Sequence, residues 1–257
     1  RNVYNLVMSL EKNIFNMKNQ QFFIVFFTGL LIVFFHTVVE AQWGVKGNGD
    51  IKKETRSLSA FSEISIEDGL DVHIRMGSSQ EVIVEADANL MDHVKTEVRG
   101  NKLRAYVDKS IWRAEAMNIY ITVTSLDALY ASGGSDVYSK GVIKTRALDI
   151  KASGGSDLYL DVEVGRLDCM TSGGSDTRLK GQVEEIRLTC SGGSDFDGKD
   201  LEIDDAEVRT SGGSDSYIRV NGELDVQASG ASDVYLYGNP KIVNKRVSGA
   251  SDFHRKS

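Results

Sequence analysis

Apolar residues recur at every second position over most of the chain beyond residue 60. The pairs Ile64 and Ile66, Val72 and Ile74, and Val82 and Val84 show it, as do the triplets Leu103, Ala105, Val107 and Ile119, Ile121, Val123. A strand sends successive side chains to opposite faces, so this period of two predicts half-buried β-strands. Asp87 to Val94 departs from the pattern and predicts one helical turn or a short helix.

Further along, a longer period is laid over the short one. Ser-Gly-Gly-Ser-Asp, or its Ser-Gly-Ala-Ser-Asp variant, begins at Ser132, Ser153, Ser172, Ser191, Ser211, Ser229 and Ser248, at intervals of 18 to 21 residues. Before the copies run alternating triplets such as Leu148, Ile150, Ala152 and Leu224, Val226, Ala228. After them a second alternation begins, with Leu158, Leu160 and Val162 on one side and Tyr159 and Asp161 on the other. Gly141, Gly165, Gly181, Gly222 and Gly238 then mark a looser corner. A unit of two or three short strands has one apolar face and cannot bury it alone, so it must stack on its neighbours.

The predicted fold is all-β: a right-handed parallel β-helix with coils of about 19 residues. About ten coils are expected, three or four irregular ones from Phe61 to Ser125 and then seven regular ones. The expected domain is residues 57–257, irregular over 57–131 and regular over 132–257, preceded by a polar lead-in at 42–56. The first glycine of the pentapeptide is present in all seven copies, whereas the second becomes Ala231 and Ala250. The first position is therefore expected to need positive φ or close backbone approach, the second only a small side chain.

Phe22 to Phe35 is a 14-residue apolar run with Lys12 and Lys18 before it and Val39-Glu40-Ala41 after it. That order describes a secretory signal, and the run is shorter than the ~20 residues of a membrane span. Residues 1–41 are expected to be a signal peptide with Met17 as initiator, and the remainder an exported chain of the periplasm, cell surface or medium. The net charge of −7 argues against nucleic acid and anionic lipid as partners. Cys169 and Cys190 fall in adjacent coils but two residues out of line. Coil spacing and that offset separate their Cα atoms by roughly 8 Å, past the ~7 Å bridging limit. Two buried free thiols are expected.

Equivalent letters in stacked coils form columns. Asp136, Asp157, Asp176, Asp195, Asp215, Asp233 and Asp252 form one. Like charges about 5 Å apart repel by roughly 0.8 kcal/mol per pair in water, so something must offset them. The favoured role is to accept turn N–H bonds, shared with Ser135, Ser156 and their equivalents. The alternative is a Ca²⁺ ladder, although one carboxylate per coil supplies few of the six to eight oxygens Ca²⁺ takes. Two residues beyond the aspartates lie Tyr138, Tyr159, Tyr217 and Tyr235, and two further on Lys140, Lys180, Lys199 and Arg219. These eight are the candidate surface for a glycan or a surface or matrix protein. Cross-strand packing of exposed tyrosines is the plainer reading. His73, His93 and His254 show no metal spacing or nucleophile motif, and no catalytic residue or confident cofactor is assigned.

Phe61-Ser62-Glu63-Ile64, Gly69-Leu70-Asp71-Val72, Val82-Ile83-Val84-Glu85-Ala86, Asn89-Leu90 and the serial pentapeptides resemble the auto-transporter adhesin head GIN domain family of Bacteroidetes-type secreted proteins. Leu70-Asp71 stands where that family usually has Ile-Asn. The resemblance covers about Phe61 to Asp252 and implies a β-helical, adhesin-like protein of the cell envelope, with no catalytic residues to carry over. The functional expectation is a non-enzymatic exported binding module, possible in oligomeric form. The alternatives are a polysaccharide-cleaving β-helix enzyme and a calcium-stabilised spacer.

Overall fold

The computed structural model describes residues 44–256, so the expected signal peptide and Met17 lie outside the described residues. Among the described residues there are nineteen strands and one 3-10 turn, Met91–His93, within the segment expected to turn. No helix there is long and apolar enough to cross a membrane.

The pentapeptide region forms a parallel β-solenoid, part of a stack of about seven turns. Each coil has three faces. In the Asp157–Gly173 strand these are residues 157–160, 161–164 and 166–173. That strand pairs with Asp176–Gly192 from Asp157↔Asp176 to Gly173↔Gly192 without a register shift. The pentapeptide makes the corner between the third face and the next coil's first.

Straight register turns the alternation into interior columns. Leu148, Leu167, Ile186, Ala206, Leu224 and Ile242 stack in one. On the first face Thr177, Phe196 and Ser216 are successive, so the large ring lies between two small side chains and the column keeps its volume. All five interior positions from Leu158 to Val234 on that face are buried. Cys169 pairs with Leu188 and Thr171 with Cys190, which places the two thiols diagonally. Both cysteines are buried and free, and burial holds both thiols above their ordinary range.

The glycine expectation is met at every corner but the first, where the second glycine, Gly134, also has positive φ, at 81°. The first glycine of every copy has positive φ, from 70° at Gly133 to 88° at Gly230. A Cβ on Gly212 would lie 2.6 Å from the Gly192 carbonyl oxygen, whereas one on Gly213 meets only the same oxygen at 3.8 Å.

Upstream, the expected run of serial coils is not what forms. Glu63–Ile66 and Asp71–Met76 make one rung, and it lies between two later ones. Glu63–Ile66 pairs in parallel with Ala128–Ala131 on one side and Lys102–Val107 on the other. Asp71–Met76 likewise lies between Asp136–Ala152 and Met117–Val123. Beneath this, Glu81–Asp87 and Val94–Arg99 run antiparallel to Met117–Val123 and Lys102–Val107. The reversal comes at the two-residue Gly100-Asn101 loop, with Gly100 at φ 63°. Glycine at the first central position suits the primed turns that join antiparallel strands. The apolar alternation survives all of this because it specifies a buried face, not a neighbour. The lead-in supplies Val45–Lys46, paired with Ile111–Arg113, and Ile51–Thr55, antiparallel to Glu81–Asp87.

The opposite end is finished differently. In the last coil Lys245 occupies the interior column of Val226, and Arg255 that of Leu236. The Lys245 ammonium lies 4.9 Å from the Phe253 ring centroid. Inward-pointing charge on an edge strand discourages further pairing.

Candidate binding surface

The seven aspartates stand in one register line, as do the rings two residues on. The aspartate line continues upstream through Asp71, beside Asp136, to Asn118. The ring line continues through His73 to Tyr120. Neither extension was legible in the repeat, because the first rung carries no pentapeptide.

The aspartates and serines divide the work at the corner. The buried second serine closes its own turn: Ser156, Ser175, Ser194, Ser214 and Ser232 each donate from Oγ to the carbonyl three residues earlier, at 2.8–3.0 Å. The aspartates act between coils. Asp157, Asp195, Asp215 and Asp233 accept the amide N–H of the next aspartate in the column at 2.9–3.3 Å. Each such bond leaves the second carboxylate oxygen for other partners. Burial, followed by neighbouring column charges, raises the pKa of Asp71 and of Asp176 above the ordinary carboxylate value. Asp215 is raised as well, chiefly by burial.

The rings stack face to face. Tyr138 and Tyr159 have centroids 5.2 Å apart at an interplanar angle of 6°, and Tyr217 and Tyr235 are at 4.6 Å and 8°. His73 lies 5.1 Å from Tyr120 and 5.4 Å from Tyr138. The Arg178 guanidinium covers Tyr159 at 5.8 Å, and Lys199 lies 4.2 Å from the Tyr217 centroid. Between the two tyrosine pairs, Arg178 bonds Asp197 at 3.3 Å. Ring faces are thus turned along the column, and the strip offers a ligand mainly ring edges and hydroxyls. Tyr138 and Tyr235 hydroxyls each contact their own coil's aspartate at 3.3 Å. Burial and then the Asp136 carboxylate push the Tyr138 phenol up to about 12.

The four basic candidates do not form one column. Lys140 lies in a bulge between Tyr138 and Val142, and Lys199 in another opposite Arg178 to Lys180. Lys180 pairs with Asp161 at 3.3 Å, and Arg219 donates to the Lys199 carbonyl at 2.8 Å. Regular spacing suggested alignment, but two inserted residues at Lys140 and one at Lys199 shift the register locally. A groove of about 310 Å³ lies beside the Lys140 bulge, and its lining includes Tyr138, Lys140, Tyr159, Arg178 and Lys180 together with Asp161, Asp197 and Asp200. It joins one tyrosine pair to the basic residues beside it; Tyr217, Tyr235 and Arg219 do not line it.

A family model described as "Putative auto-transporter adhesin, head GIN domain" matches residues 60–240. The crystal structure of a "putative adhesin" from Bacteroides fragilis superposes with TM-score 0.79 at 18% identity, covering 83% of this chain and 100% of that one. A "Putative lipid binding protein" from Parabacteroides distasonis gives 0.68 at 17%, covering 83% and 99%. A "putative adhesin" from Parabacteroides merdae gives 0.67 at 16%, again covering 83% and 99%. At these identities the likeness is one of fold. No curated protein matches the chain.

Proposed function

Since the chain belongs to the auto-transporter adhesin head GIN domain family, we propose that it is an exported, non-enzymatic binding module of the cell envelope. Its contact site is the groove beside Tyr138 and Tyr159. The observation that carries this reading is the coincidence in one groove of two partly exposed rings with Lys140, Arg178 and Lys180. Aromatic and arginine side chains are the residues enriched where surfaces bind partners. With the ring faces occupied by stacking, the groove suits ligands that meet ring edges, hydroxyls and cations. An acidic glycan or an acidic patch on a matrix protein has that chemistry. A repeated column of aspartates is a poor catalytic site, because catalysis draws on one irregular pocket with a perturbed group.

A panel of acidic and neutral glycans and matrix proteins tests the proposal. Binding should fall at least tenfold in Lys140→Glu/Lys180→Glu and persist in Tyr217→Ala/Tyr235→Ala, which lies outside the groove. Equal loss in both variants would reject the groove as the site. Release of new reducing or unsaturated ends from a polysaccharide would reject the non-enzymatic reading.

A further inference from the structure

The last coil brings an imidazole to the end of the aspartate column. The ring position that holds tyrosine in the preceding coil holds His254 here, directly beside Tyr235 in register. Asp252 is on the same strand two residues earlier, so its side chain leaves the same face. Asp233 is the register partner of Asp252. One ligand atom from each of Asp233, Asp252 and His254 lies within 4.8 Å of the others.

We propose that Asp233, Asp252 and His254 form a binding site for a divalent transition-metal ion of the zinc class. The ligand set has the right chemistry: two carboxylate oxygens and one imidazole nitrogen suit zinc, whereas Ca²⁺ takes six to eight oxygens. The geometry is close to what a metal needs. A tetrahedral site with bonds of about 2.1 Å places its ligand atoms about 3.4 Å apart. His254 Nε2 lies 3.9 Å from Asp233 Oδ2, so small side-chain rotations, freest at the exposed Asp252, close the site.

Two of the ligands are oriented in advance. Asp233 Oδ1 accepts the Asp252 N–H at 2.9 Å, which holds that carboxylate and turns its other oxygen to the imidazole. His254 stacks on Tyr235 with centroids 4.8 Å apart and an interplanar angle of 14°. Outer contacts of this kind fix ligand orientation in metal sites. Three protein ligands leave a fourth position open, as in zinc sites that take up an exogenous donor.

The chain holds a comparison within itself. Asp71 and His73 repeat the same spacing near the other end of the column, with Asp136 alongside. There the imidazole lies between Tyr120 and Tyr138, and among the described residues no second set of three donors reaches metal spacing. Composition is the same at the two ends. What differs is donor spacing: around His73 the three donor atoms do not come within reach of one ion, whereas around His254 they do.

Zinc titrated calorimetrically into purified, chelator-stripped protein is the test. His254→Ala and Asp252→Asn should each weaken binding by about tenfold or more, with His73→Asn unchanged. Lys256→Ala should tighten it, because that ammonium lies 4.9 Å from the Tyr235 centroid and opposes a cation there. Should a variant fail to fold, zinc must still shift the His254 ring resonances of the unaltered protein. Absence of zinc binding, full affinity in His254→Ala, or displacement of zinc by equimolar calcium would each overturn the assignment.

Discussion

The side chain of Asp195 accepts the backbone N–H of Asp215, one coil further along, at 2.9 Å. The same bond recurs along the column, so each of these carboxylates ties two coils together instead of closing its own turn. This explains how a line of like charges persists: each bond to a charged acceptor offsets the mutual repulsion of neighbours.

Asp215 separates the two effects. Asp215→Ala removes the acceptor for the Asp233 amide and should cost about 1 kcal/mol in urea unfolding at pH 7. Asp215→Asn keeps an acceptor oxygen and removes the charge. Asp215 has a raised folded-state pKa, so its ionisation opposes folding as pH rises above 3.8. Asp215→Asn should therefore be more stable than the parent at pH 7, with the gain fading as pH falls towards 3.8. A loss equal to that of Asp215→Ala would mean the charge itself is needed.

The corner glycines should respond asymmetrically. Gly212→Ala forces a side chain into positive φ and against the Gly192 carbonyl, at a cost of about 2 kcal/mol or more. Gly213→Ala repeats the chemistry of Ala231 in the next copy and should lie within about 0.5 kcal/mol of the parent. Thermal melts of the two variants decide this, and equal effects would refute it.

Glu85 should govern part of the acid stability. It accepts bonds from Asn118 at 3.0 Å and Tyr120 at 2.8 Å and pairs with Lys53 at 3.0 Å. The Asn118 and Tyr120 bonds, then Lys53, hold its pKa at about 2, below the ordinary 4.5. A lowered carboxylate contributes stability that is present above pH 4.5 and lost as pH falls to about 2. Glu85→Gln should flatten the stability–pH curve in that window. An unchanged slope would show that the contacts are immaterial.

Lys245 and Arg255 should keep the last coil from pairing with another molecule. Lys245→Val/Arg255→Leu restores the apolar columns of Val226 and Leu236 to the open edge. Light scattering should then detect concentration-dependent self-association absent from the parent. A double variant that stays as the parent does would remove this role.

The pentapeptide period and the alternation on either side of it determined the solenoid, its interior columns, the glycine conformations and the diagonal thiols. These are consequences of local geometry repeated at fixed spacing. Stacking converts position in the repeat directly into position in space, so Asp157 and Asp176 could be placed side by side from letters alone. Three features were decided only by tertiary structure. The Glu63–Met76 rung lies between later ones, because alternation names the buried face of a strand and leaves its long-range partner open. Lys140 and Lys199 leave the expected stripe, because one or two inserted residues shift register with no warning in composition. His73 and His254 share a spacing to aspartate, yet one is enclosed between rings and the other stands at the column's end, a difference set by what the fold stacks beside each imidazole.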